Sequence, residues 1–336
     1  MRHTPVHLKL GGLLALLGLL LIANLLGGAH WLAPHWLMHL FSPPDGSHEL
    51  LVLQARLPRV ICGLLAGIAL AIAGIIMQTL CRNPLADPGL LGVNAGASAS
   101  LVTLSLLPLA AEWGVFWQAL PGALLASAGV YLLSRLQQSD GQAPNPTRLL
   151  LAGAAISAVL GAYVQARVML NPQLFDGFRY WMAGSLAGLG WVEVSALWPY
   201  LIPAALVLWL MSPSLDLLLL DRNTALSLGA NLQRHSAIAW LCATLLCAAA
   251  TAVVGPLAFV GLAAGHLARA WFPCSLRLLL LGAGLIGALL VLMADLFSRT
   301  LLPPRELLTG IMIAALGAPF LYLIARRGNT ERGRVS

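Results

Sequence analysis

Apolar runs of about 20 residues, the length that crosses the roughly 30 Å hydrocarbon core of a bilayer, recur from Leu10 to Ala325 with only short polar interruptions. In hydrocarbon no water satisfies a backbone N–H or C=O, so each run has to close its own hydrogen bonds as a helix. The chain therefore reads as an all-α integral membrane protein, one transmembrane domain over residues 1–336. Its 9% of charged residues, against roughly a quarter in soluble domains, leave no stretch for a separate soluble domain.

Gly, Pro and charge punctuation divides the chain into ten spans, near residues 10–28, 60–80, 89–107, 115–134, 149–169, 192–211, 237–254, 257–272, 277–298 and 307–325. The seventh and eighth are separated at Gly255-Pro256, where Pro opposes helix continuation and Gly permits a reversal. Basic residues set the orientation. With a cytoplasmic N-terminus, thirteen lie inside: Arg2, Lys9, Arg82, Arg135, Arg148, Arg222, Arg234, Arg269, Arg277, Arg326, Arg327, Arg332 and Arg334. Six lie outside: Arg56, Arg59, Arg167, Arg179, Arg299 and Arg305. Both termini are placed in the cytoplasm. The same bias accounts for the net charge of +7 without nucleic acid as a partner. The first run lacks a clear A-x-A site after it and reads as an uncleaved span rather than a signal peptide.

Gly63, Gly67 and Gly74 within one span would let helix backbones approach closely. A weak similarity links the segment near Asp87 with that near Glu306; as a mark of two five-span halves it implies an inverted arrangement. Cys62, Cys81, Cys242, Cys247 and Cys274 show no metal spacing and read as small buried hydrophobes. His30, His35, His39 and His48 share the outer segment with Trp31 and Trp36 and read as an interfacial belt, since their spacing fits no tetrahedral site. No metal or other cofactor is expected.

Residues 80–97, LCRNPLADPGLLGVNAGA, concentrate Pro, Gly, Asn and Asp where a plain helix would avoid them. With the preceding RLPRVICGLLAGIALAIAGIIMQT, and with YWMAGSLAG, LLLLDRNTALSLGANL, GPLAFVGLAAGHLAR, ADLFSRTLLPPREL and GAPFLYLIARR following in order, the chain resembles the FecCD-type permeases. These belong to importers of iron-siderophores, haem and vitamin B12. One departure is Gly265-His266, where the family usually has Pro-His. The resemblance implies a type II ABC importer permease in the bacterial inner membrane. Such a subunit pairs with a second copy or a paralogue, binds two ATPase subunits and receives its cargo from a periplasmic binding protein. Ferric siderophore is the expected cargo, with haem or vitamin B12 the alternatives. No G-x-x-x-x-G-K-[ST] loop is present, so ATP hydrolysis belongs to a partner and the chain is not itself an enzyme.

Arg56, Arg59 and Arg299 match family positions that pair with acidic residues of the binding protein, while Arg305 reads as an ordinary interfacial arginine. Asp295 lies inside a span with Arg299 one turn on, and the two are expected to form a structural ion pair. The cytoplasmic segment 212–236 has helix-like spacing broken at Gly229. The resemblance makes it the ATPase-coupling loop, with Asp221, Arg222, Asn223 and Arg234 as contacts. An ion-coupled secondary transporter would need several intramembrane carboxylates, and an intramembrane enzyme a titratable cluster at one depth; the spans show neither pattern. A topology reporter inserted after Arg148 should report the cytoplasm and one after Arg179 the opposite side; the reverse pair of signals overturns this orientation.

Overall fold

The computed structural model describes residues 5–41, 47–110, 112–136, 145–219, 224, 227, 231–272 and 275–319. Among them every long element is an α-helix: α1 (Val6–Leu26), α2 (His48–Leu80), α3 (Val93–Leu104), α4 (Val115–Arg135), α5 (Pro146–Leu170), α6 (Pro172–Met182), α7 (Trp191–Asp216), α8 (Leu232–Val254), α9 (Val260–Trp271), α10 (Leu276–Thr300) and α11 (Thr309–Pro319). Seven of these, α1, α2, α4, α5, α7, α8 and α10, are long and apolar enough to cross a membrane. α3 and α9 have 12 residues each and reach only about 18 Å. Ten full spans are thus more than these helix lengths supply on their own.

α2 departs from expectation at its start. Pro58 suits a first-turn position and the second span is expected from residue 60, yet the helix begins at His48 and carries Pro58 inside it. One proline removes a single ladder bond, and packing on neighbouring helices holds the rest. The result is a 33-residue helix about 50 Å long, more than the roughly 30 Å of hydrocarbon requires, with Arg56 and Arg59 in its N-terminal half.

The centre of the bundle is α2 and α8, buried over most of their length; α1 and α5 lie at its periphery. Leu8, Leu14, Leu16, Leu19 and Ile22 of α1 are exposed, as a lipid-facing stripe requires. Helices meet through glycine. A Cβ on Gly67 would stand 2.5 Å from the carbonyl oxygen of Gly287 in α10, and one on Gly74 would stand 2.6 Å from Cα of Gly261 in α9. In α3 and α4, a Cβ on Gly96 would lie 2.2 Å from the oxygen of Gly122. Backbone atoms cannot yield as a side chain would, so these positions fix interhelical distance.

The chain reverses at Gly255 (φ 76°), between α8 and α9, where the sequence places the boundary. A Cβ there would meet the oxygen of Trp181 at 2.2 Å. Both short helices start from a left-handed residue, Gly92 (φ 90°) before α3 and Phe259 (φ 68°) before α9. The parallel in construction therefore joins α3 to α9, whereas the sequence similarity joined the segment near Asp87 to that near Glu306. α6, amphipathic and lying between α5 and α7, falls where the sequence was read as a connection.

Gly67→Leu should lower stability by at least about 1–3 kcal/mol, because the added atoms push on backbone, whereas Gly12→Ala, with nothing within 4 Å, should be neutral. Melting temperatures of the two variants in detergent check this.

Candidate functional site

The end of α1 is the foundation of the site. A helix leaves its last carbonyls without intrahelical partners and carries partial negative charge there. Here two arginines from other helices supply donors. Arg299 of α10 reaches Gly27 O at 2.9 Å and Asn24 O at 3.1 Å, and Arg56 of α2 reaches Leu25 O at 3.0 Å and Leu26 O at 2.9 Å. Arg56 also donates to His30 O at 3.0 Å. Gly28 is required beside it: a Cβ would lie 2.4 Å from Arg56 Nη2.

Asn24, the only polar side chain in the first apolar run after Lys9, is fully buried. Its amide donates to Leu20 O at 2.9 Å and Leu292 O at 3.1 Å, and its oxygen accepts from Arg299 Nη2 at 2.7 Å. All its polar atoms are thereby used, which is what an amide in lipid requires.

Asp295 of α10 joins the arginines and is fully buried. Its Oδ1 accepts from Arg59 Nε at 3.1 Å, from Arg59 Nη2 at 2.9 Å and from Thr309 at 3.4 Å. Its Oδ2 lies 3.1 Å from Arg299 Nη2, a contact too poorly aligned to count as a hydrogen bond, so the attraction there is coulombic. Arg59 faces outward too, and its Nη1 donates to Glu306 Oε2 at 2.8 Å. Three guanidinium groups and two carboxylates are thus assembled from α2, α10 and the segment leading into α11, against the end of α1.

Above them opens a cavity of about 1100 Å³, lined by Trp31, Trp36, Trp191, His48, Glu49 and Arg56 among others. His35 and His39 flank Trp36 at ring-centroid separations of 5.4 and 5.9 Å. Among the described residues, no three His, Cys, Asp or Glu side chains converge.

The arginines singled out in the sequence are brought together but differ in access. Arg56 is half-buried, Arg59 is 9% exposed and Arg299 is 2% exposed, and all three line the cavity. In this conformation Nη1 and Nη2 of Arg299 are committed to α1 and Asp295. Glu306, Asn24 and Thr309 were not picked out from the sequence. The lone Asn in an apolar run was the available signal, while Glu306 looked like one more loop carboxylate.

At the opposite end of the bundle, Gln78, Arg82, Asp216 and Arg269 line a second cavity of about 540 Å³. Asp216 accepts from Leu276 N at 3.2 Å and caps α10, Lys9 donates to Trp271 O at 2.9 Å, and Arg269 donates to Gln78. A Cβ on Gly265 would meet Gln78 Oε1 at 2.7 Å, so Gln78 packs directly on the backbone of α9 here. Of the coupling residues, Asp221, Arg222, Asn223 and Gly229 lie outside the described residues. Arg234 is exposed in the first turn of α8, where its N–H donates to Asn231 Oδ1 at 3.0 Å.

Comparison with known proteins adds to this geometry. The FecCD transport family matches residues 15–327. The ferric enterobactin transport system permease protein FepD of Escherichia coli (strain K12) is 42% identical over 320 residues, 94% of each chain. The hemin transport system permease protein HmuU of Yersinia pestis is 38% identical over 84% of this chain and 85% of its own. Among solved structures, a metal-chelate type ABC transporter in an inward-facing conformation matches with a TM-score of 0.79, covering 96% of this chain and 99% of that one. At 24% identity it speaks for the fold.

Asp295→Ala should cost about 3–5 kcal/mol, since it leaves two buried arginines without their anion. Glu306→Ala should cost far less, because 40% of the Glu306 side chain is exposed. Yield and melting temperature of the detergent-solubilised variants check the order.

Proposed function

The chain belongs to the FecCD transport family, and on that premise we propose that it carries a ferric siderophore across the bacterial inner membrane, taking it from a periplasmic binding protein. It is the membrane permease of an ATP-binding-cassette importer, and ATP hydrolysis resides in a partner subunit. The arginine cluster beneath the outer cavity is the observation that carries the docking part of this reading. In it Arg56 meets the binding protein directly, and Arg59 and Arg299 stand behind it. The resemblance to FepD supports a catecholate-type chelate over haem or vitamin B12.

The working unit in this proposal is a pair of permeases, a second copy or a paralogue, with two ATPases. α3, α9 and α11 complete a ten-span subunit made of two inverted five-helix halves, and the shared start of α3 and α9 supports that repeat. Both termini and the segment 212–236 face the ATPases, with Asp221, Arg222, Asn223, Gly229 and Arg234 at the contact. Closure of the ATPases on ATP draws these segments together and exchanges inward for outward access. ATP achieves this only by binding the two states with different affinity.

Proteoliposomes holding the assembled complex and its binding protein test the proposal with labelled ferric siderophore, haem and cobalamin. ATP-dependent accumulation of the ferric siderophore alone is the expected result. Preferential uptake of haem or cobalamin would reassign the cargo, and uptake driven by a proton gradient without ATP would sink the importer reading.

A further inference from the structure

Arg59 stands between two carboxylates of unequal standing. Asp295 is fully buried and holds Nε and Nη2 of the guanidinium. Glu306 has 40% of its side chain exposed and takes only Nη1, at 2.8 Å. An ion pair half in water contributes little to stability, so the outer contact is exchangeable while the inner one is not.

Glu306 is also tied to the start of α11. It lies three residues before α11. Thr309, the first residue of that helix, donates to the same Asp295 oxygen that Arg59 holds and accepts from Leu186 N at 3.4 Å. Gly310 N donates to Gly184 O at 3.0 Å, and a Cβ on Gly310 would stand 2.1 Å from Ala183 O. The first turn of α11 is therefore seated on the charge cluster on one side and on backbone 183–186 on the other. Between Ser298 and this turn the chain is joined back by one bond, Leu307 N to Ser298 O at 2.9 Å.

We propose that Glu306 is a positioning residue that occupies Arg59 in the undocked permease and is exchanged there for an acidic side chain of the docking protein, which frees the segment leading into α11. The inference rests on the docking reading above. Two carboxylates cannot share Arg59 Nη1 without like-charge repulsion, so an incoming acid that reaches Arg59 displaces Glu306. Arg56, whose donors described here all go to main-chain carbonyls, faces the same cavity and offers the arriving acid its first attraction. In this scheme the energy of docking is passed to α11 through a change of partner at one guanidinium, and the buried Asp295 keeps the arginine in place throughout.

The test uses the complete transporter in nanodiscs, with the purified binding protein of its own transport system as the probe. Glu306→Gln removes the competing charge and should tighten binding by roughly 3–10-fold at low ionic strength, with the gain shrinking as salt screens the charges. In an Arg59→Lys background, where one ammonium serves Asp295 and the outward fork is gone, the same substitution should give little or no gain. Glu306→Asp, shorter by one methylene, should give a smaller gain of the same sign and serves if the Gln variant assembles poorly. A purely structural peg predicts the opposite sign, weaker binding together with a lower melting temperature. Unchanged or weakened binding by Glu306→Gln, or a full gain that persists beside Arg59→Lys, overturns the exchange while leaving the importer reading intact. Failure of the unsubstituted transporter to bind the protein at all overturns the docking reading itself, and the exchange with it.

Discussion

A carboxylate with no exposure inside a membrane bundle has to be neutralised where it stands, and Asp295 organises its end of this protein through that demand. Two arginines answer it from different helices, and each then has donors to spare. Arg299 spends them on the frayed end of α1, and Arg59 on Glu306. One buried charge thereby fixes where α1 stops, how α2 is rotated about its axis, and where α11 begins. The cluster is costly to assemble, and its removal one partner at a time is costlier still, because the remaining charges stay buried.

Close backbone contact is the second condition, and it makes the first possible. Gly67 against Gly287 and Gly74 against Gly261 bring α2 within carbonyl reach of α10 and α9. At ordinary interaxial separations of 8–10 Å the guanidinium of Arg59 would have to stretch further to meet Asp295. Small residues low in the bundle and large charged residues at its rim are thus parts of one arrangement. A bundle without an apolar driving force between its helices depends on both packing and polar contacts of this kind.

The two ends of the molecule differ in how they treat charge. At one end, arginine is gathered and paired beneath a cavity lined by tryptophan. At the opposite end basic residues are dispersed: Lys9 on the end of α9, Arg82 on Leu218 O at 3.0 Å, and Arg277 over the ring of Trp209 at 3.9 Å. Membrane residence, helical class and family membership follow for this chain from different kinds of observation, and they agree.

Lipid solvation let the apolar runs be read directly as helices, and the reversal at Gly255-Pro256 was legible because φ near 76° is open to glycine and a following proline cannot continue the ladder. The i,i+4 spacing of Asp295 and Arg299 was likewise on the page, since it is a property of one helix. The extension of α2 back to His48 was not, because a proline in that position marks a helix start unless neighbours hold the turn before it. Nor was the pairing of Arg59 with Glu306, 247 residues apart, or the capping of α1 by Arg56 and Arg299. Those contacts depend on how four separate segments are set against one another. The sequence by itself determined that this chain is a helical membrane permease and which residues carry charge into it. Only the tertiary structure decided which charges on different segments meet, because close backbone contact between helices, and not spacing along any one of them, brings Arg59 to Asp295 and Glu306.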